Sequence, residues 1–391
     1  MFVLQIQSMP GASIDSIIDF LEPLNLSAIS NDEGFQPHQI GSYIMAYEFS
    51  FPDISAVDLI IMSCGDYRGA GIAYPDRAAS DFAFEIRQEL YNLFYWHKDL
   101  KIADIGSVKK GATLQDTYAA IKAITYELLQ AGKRVLLLGG GHDLMMAQYE
   151  AYAAHAKIIE ATNIDACINM DKESRLPAEN FLLEMFTCEP NFLKHYNHIG
   201  FQSYFVHPGM LETIDKLRFD CYRVGKVKES IDEMEPVIRL SNLVGFDISA
   251  IQHSHAPCNH ATPNGFSGEE ACQLMRYTGM SHLANAIGIY GYHADKDVHQ
   301  LTAKQISQMI WYLIDGIYKG RQEAAWGDQQ AYSEYRLVFA DIETVFWQSR
   351  LTERWWMQLP DGNTLACSRL DYLTATKNQI PERWMRAVER I

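Results

Sequence analysis

No stretch of the 391-residue chain approaches the roughly 18 consecutive apolar residues that a membrane helix needs, so a membrane is not an expected partner. A basic surplus is missing too. The 33 Lys and Arg against 49 Asp and Glu leave a formal charge of −16, which opposes attraction to phosphate backbones and anionic lipid. Nucleic acid is therefore excluded as an expected partner. Cysteine is sparse: Cys64, Cys167, Cys188, Cys221, Cys258, Cys272 and Cys367 are odd in number and widely scattered. A chain of this size needs no disulfide staples, so free thiols in a reducing, cytoplasmic compartment are expected. The opening MFVLQIQSMPGASIDSIIDF places acidic residues and turn formers among its apolar positions, with no positive region ahead of them, and predicts no signal peptide. Internal repeats, low-complexity tracts and flexible linkers are also lacking. What is present, 48% hydrophobic and 21% charged residues, describes a folded, soluble globular protein.

The middle of the chain alternates short apolar runs with longer helical periods. Thr117 to Gln130 carries apolar residues at helical spacing, Ala131-Gly132-Lys133 reads as a stop, and Arg134 to Leu138 (RVLLL) reads as a strand. Further strands are expected at Val57 to Met62, Lys157 to Ile168, His198 to Phe201, Asn242 to Ile248 and Ala286 to Tyr292. Helices are expected at Leu144 to Ala156, Gly268 to Thr278 and Thr302 to Tyr318. Such alternation predicts an α/β fold, a three-layer αβα sandwich around a mostly parallel, doubly wound sheet. Residues 57–320 form this expected core. Residues 1–56 read as an N-terminal extension packed on it. Residues 321–391 read as a Trp-rich C-terminal extension holding five of the seven tryptophans, and the segment Trp347 to Leu359 reads as a packing surface.

Ligands of open parallel sheets collect at the carboxyl ends of strands. Three such ends here carry polar residues. Gly139-Gly140-Gly141-His142-Asp143 follows the RVLLL strand, its glycines allowing a tight turn and His142 standing at a helix mouth. Alone, such a turn is as readily structural. Asp165, Cys167 and Asn169 are spaced by two and share a face if the strand stays extended. Asp247 and Ser249 repeat that spacing. Buried Asp residues cost several kcal/mol of desolvation unless paired or bound to metal, so two Asp and a His converging on one edge suggest a cation site. Capping and hydrogen-bonding roles are the competing account.

The order GGGHD, DACIN and GFDIS, followed by Ala256-Pro257 and Thr262-Pro263, resembles the ureohydrolase superfamily of arginases, agmatinases and formimidoylglutamases. Arg68-Gly69-Ala70, Glu85-Ile86-Arg87 and Asp104-Ile105-Gly106 resemble further segments of that family, and the length is closest to the formimidoylglutamase-like branch. The resemblance implies an arginase-like fold and a pair of manganese ions that activate water for attack on a guanidinium or formimidoyl carbon. It implies ligand roles for His142, Asp165 and Asp247. It also implies that Cys167 stands in place of a His ligand, and Asn169 and Ser249 in place of Asp ligands. Gly291, in Tyr290-Gly291-Tyr292-His293, stands where the family carries a glutamate for its cationic substrate.

Ligand carboxylates thus fall from four to two, and two divalent ions a few ångströms apart need that negative charge. A manganese pair is not expected; the expected cofactor is none, or one divalent metal, zinc or manganese. Three readings follow. The first is a binding or structural protein that has lost hydrolase chemistry. The second is a single-metal, zinc-type amide hydrolase using Asp165, Cys167 and Asp247. The third is a formimidoylglutamate hydrolase with a rearranged site, drawing substitute ligands from His253, His255, Cys258 and His260. A small-molecule ligand in the sheet-edge cleft and a homo-oligomer are the expected partners.

Overall fold

A computed structural model describes residues 14–30, 34–72, 82–324, 328 and 330–390. Among them, ten strands make a central sheet: β1 (Leu21–Glu22), β2 (Met45–Ala46), β3 (Leu59–Cys64), β4 (Ile102–Val108), β5 (Arg134–Gly139), β6 (Ile159–Ile164), β7 (Leu193–Phe201), β8 (Asp220–Arg223), β9 (Leu243–Asp247) and β10 (Ala286–Tyr290). Their order is β1-β4-β3-β5-β10-β9-β6-β7-β8, with β2 also pairing β4. Every pairing is parallel except β1 with β4. The expected mostly parallel α/β sandwich is therefore the fold.

The apolar runs are continuous because both faces of the sheet are covered. Along β5, Leu136 and Leu138 enter one core with Ile310 and Met275, whereas Val135 and Leu137 enter the other with Ile121 and Met145. Each such fully buried side chain contributes roughly 1.5–3 kcal/mol. The helix Leu114–Gln130 that feeds β5 starts at a capping box, Thr113 with Asp116, and stops at Gly132, which takes φ +71°. No helix among the described residues is long and apolar enough to cross a membrane, and all seven cysteines are unbridged.

Register decides where chemistry can collect. Tyr290 pairs with Asp247, Ile289 with Leu138, and Ile164 with Phe246. The carboxyl ends of β5, β10, β9 and β6 therefore lie side by side at one level. Consecutive strands β5 and β6 are separated in the sheet by β10 and β9, which places a topological switch point at that level.

The chain's two ends are built differently. Residues 21–22 and 45–46 join the central sheet itself through β4. Residues after 330 form a four-stranded antiparallel sheet, β11 (Tyr332–Phe339), β12 (Ile342–Ser349), β13 (Trp355–Gln358) and β14 (Thr364–Cys367), followed by helices Arg369–Thr376 and Glu382–Val388. Phe339, Phe346, Trp355, Met357 and Trp384 make its own small core. The expected tryptophan packing surface is thus a β-sheet face.

The last helix is tied to β8 at Asp220, whose carboxylate meets Arg386, Arg390 and, at 3.1 Å, His195 Nε2. Burial opposes ionisation of Asp220, but the His195 hydrogen bond and the two arginines outweigh it and hold its pKa well below the usual carboxylate value. A depressed folded pKa stabilises above the unfolded value, about 4, and that contribution is lost as pH falls below it. Asp220→Asn is expected to lower the urea midpoint at pH 7, with the difference from the parent chain shrinking as pH drops below about 4.

Candidate active site

The GGG turn is shaped by its neighbours. A Cβ on Gly139 would lie 2.5 Å from the Tyr290 ring, and one on Gly140 would lie 2.7 Å from the Asp66 carbonyl oxygen. Gly140 N donates to Cys64 O and Gly141 N to Asp66 O, so the turn is pinned against the end of β3. His142 then projects beneath the neighbouring strand ends, stacked on Tyr290 at 5.0 Å between centroids and 4.8 Å from Phe181.

The structure brings together His142, Asp165, Asn169, Asp247 and Ser249. His142 Nδ1 lies 3.1 Å from Asp165 Oδ2, 3.4 Å from Asp247 Oδ2 and 3.2 Å from Asn169 Nδ2. Asn169 Nδ2 donates to Asp165 Oδ2 at 3.2 Å, and Ser249 Oγ donates to Asp165 Oδ1 at 2.6 Å. The even spacing predicts extended strands through these positions. Instead β6 ends at Ile164, residues 166 and 167 form a bend, and Ile248–Ala250 is a 3-10 turn. The cause is local: each Asp accepts from the backbone N–H two residues on, Asp165 Oδ1 from Cys167 N at 3.0 Å and Asp247 Oδ1 from Ser249 N at 2.8 Å.

Burial works against a charge on His142, but its hydrogen bond to Asp165 and the charges of Asp247 and Asp165 outweigh that, and its pKa is raised. Asp165 shows the reverse balance: burial opposes its ionisation, while His142 holds its pKa down. Asp247 is pushed up to about 6 by burial and by the neighbouring Asp165 charge. Half-buried Cys167 is pushed up to about 12 by burial, then by Asp165, Asp247 and Glu179, so its thiol stays protonated at neutral pH.

Three further residues shape the site without any motif to announce them. Asn163 Oδ1 accepts from His142 Nε2 at 3.0 Å, and His198, bonded to Tyr196 OH, places Nε2 3.1 Å from the Asp165 carbonyl oxygen. The available signal was a polar residue inside an apolar strand, two positions before Asp165.

The histidine-rich loop does not supply a ligand cluster. His253 Nδ1 meets Asn259 O at 2.7 Å, and the buried Cys258 thiol donates to His293 O at 3.1 Å. Among the described residues no group of three or more His, Cys, Asp or Glu side chains is arranged to hold a metal ion. Gly291 has φ +87°, and a Cβ there would stand 2.9 Å from Ile248 Cγ1 and 3.4 Å from both Asp247 carboxylate oxygens, so no side chain fits without strain. The Arg87 and Asp104 motifs form a buried ion pair, Nε to Oδ2 at 2.8 Å, with Tyr91 OH donating to Asp104 at 2.7 Å. Arg68 grips Asp66 and the carbonyls of residues 111–113. Both are structural clasps beside the strand ends.

Comparison with known proteins agrees with this architecture. The pattern of the arginase family matches residues 77–315. A formimidoylglutamase of Hahella chejuensis is 26% identical over 34% of this chain, a match spanning 44% of that enzyme's length. The crystal structure of Trypanosoma cruzi formiminoglutamase with Mn2+ superposes with a TM-score of 0.59 at 16% identity, covering 69% of this chain and 96% of that one. Bacillus subtilis formimidoylglutamase gives 0.60 at 15% identity over 72% and 92%. Agmatine ureohydrolase of Thermoplasma volcanium gives 0.56 at 17% identity over 73% and 97%. At these identities the structural likeness concerns the fold. With more than half of its residues matched by the family's own sequence pattern, the chain belongs to the arginase family.

Proposed function

We propose that this formimidoylglutamase-like member of the family has lost the two-manganese chemistry and serves as a ligand-binding or structural protein. The observation that carries this reading is the charge at the strand ends. Among the described residues, Asp165 and Asp247 are the carboxylates in the hydrogen-bonded group around His142. Two divalent ions would bring four positive charges against those two, and their mutual repulsion would go uncompensated. Ser249 adds a neutral hydroxyl and Asn169 a neutral amide. This donor set does not fit a manganese pair. A single zinc is also poorly served, because catalytic zinc takes three protein ligands and the Asp165 oxygens are already engaged by Ser249 and Asn169. A small molecule held at this sheet edge would meet Asp247, whose side chain keeps 15% exposure.

Metal analysis of protein purified without chelator is expected to find far less than one manganese or zinc per chain. A panel of formimidoyl, guanidino and acetylated amine substrates is expected to show no turnover. About two manganese ions per chain with hydrolysis would overturn the proposal. About one zinc per chain, lost in Cys167→Ala, would replace it with a single-metal hydrolase.

A further inference from the structure

An ionised carboxylate offers about four lone-pair positions. At Asp165 these are taken up by protein groups from three strand ends. Oδ1 accepts from Ser249 Oγ at 2.6 Å and from Cys167 N at 3.0 Å. Oδ2 accepts from Asn169 Nδ2 at 3.2 Å and faces His142 Nδ1 at 3.1 Å. Ser249 follows β9, Asn169 follows β6 and His142 follows β5, so a single buried side chain binds the three together. The fourth strand end joins through Tyr290, stacked on His142, while Asn163 fixes the far side of that ring. We infer that Asp165, Ser249, Asn169 and His142 form a metal-free structural knot, in which protein hydrogen donors occupy the carboxylate positions that cations would otherwise use.

The sense of the two side-chain donors matters more than their number. An alanine or glycine at 169 or 249 would leave a lone pair of a buried carboxylate unfilled, at the cost of its lost solvation. Aspartate at either place, the residue the family resemblance implies there, would face Asp165 as a second acceptor and a like charge. Serine and asparagine each present a proton, one to Oδ1 and the other to Oδ2. The inference deepens the reading of an enzyme-derived, metal-free protein and rests on it: the same substitutions that reduce ligand charge leave this carboxylate paired.

Thermal unfolding of the full chain tests it, with manganese chloride and EDTA as probes. The parent chain is expected to melt within about 1 °C of the same temperature in either addition, because nothing in the knot awaits an ion. Ser249→Ala and Asn169→Ala are each expected to melt about 2–5 °C lower, Ser249→Thr to recover most of the loss through its hydroxyl, and Ser249→Asp to fall furthest. A Ser249→Ala chain as stable as its parent, with no metal bound, would overturn the knot and leave the functional proposal standing. Saturable stabilisation of the parent by manganese would overturn both. Substrate turnover by demonstrably metal-free protein would overturn the functional proposal alone.

Discussion

The combined variant Cys167→His, Asn169→Asp and Ser249→Asp is expected to bind about two manganese ions per chain and to depend on them for stability. The change brings the carboxylates around His142 from two to four, the new ones at positions 169 and 249 crowding Asp165 and Asp247 at neighbouring strand ends. Without a cation these repel one another in a buried setting, and the Ser249 and Asn169 hydrogen bonds to Asp165 are gone. A deficit of roughly 3–5 kcal/mol is expected, the scale for unpaired buried charge. Manganese should restore it, since a ligand at 1,000 times its Kd adds about 4 kcal/mol to the folded state. Metal analysis and melting curves with and without manganese measure both halves. Turnover of guanidino substrates is not expected to return with the metal, because Gly291 still offers no counter-charge. A folded variant that ignores manganese would mean that the bend at residues 166–167 carries position 167 away from the shared point.

Arg354→Ala is expected to be the most damaging single change at the junction between the C-terminal sheet and the core. Arg354 is 5% exposed and donates to Glu323 Oε2 at 2.8 Å, Glu235 Oε1 at 3.3 Å and the Met280 carbonyl at 3.2 Å. Arg239 completes the group by pairing with Glu235 and donating to Trp355 O, and both guanidinium groups lie against the Trp356 ring, Arg239 at 4.6 Å and Arg354 at 5.9 Å. Burial opposes ionisation of Glu235, but the two arginines overcome it and hold its pKa down. Deleting Arg354 leaves Glu323 buried without its cation, at a cost of about 3–5 kcal/mol. Urea unfolding is expected to show the loss, with tryptophan fluorescence from the C-terminal sheet changing before the far-ultraviolet signal of the core. Arg354→Lys should recover only part, because an ammonium cannot serve both carboxylates with a planar fork.

Much of the core was legible because its signals are local. RVLLL and its stop, the capping residues and the GGGHD turn each specify structure within a few residues, and β5 with its helix lies where periodicity places it. The second sheet was not legible for the opposite reason. Trp347 to Leu359 spans the end of β12, a turn and β13, so the alternation is broken midway and the segment reads as irregular. At the site, residue types were readable while geometry was not. Period-two spacing predicts a shared strand face, whereas Asp165 and Asp247 curl the chain by capping their own following amides, a choice that hydrogen bonding rather than hydrophobic pattern decides. Asn163 shows in the sequence only as a polar residue inside an apolar strand, and its role and that of His198 depend on a ring and a carbonyl brought in from other strands.

The strands supplied by the first fifty residues and the helix tied to Asp220 lie at opposite flanks of the central sheet, against β4 and β8. A fragment cut to residues 57–320 would strip β1 and β2 from β4 and leave a row of its backbone donors and acceptors without partners. Such rows recruit other chains by strand addition, so the fragment would be prone to aggregate even with its core sequence intact. The N-terminal strands therefore cover one edge of the central sheet, and the covered sheet extends beyond the residues that carry the family's pattern.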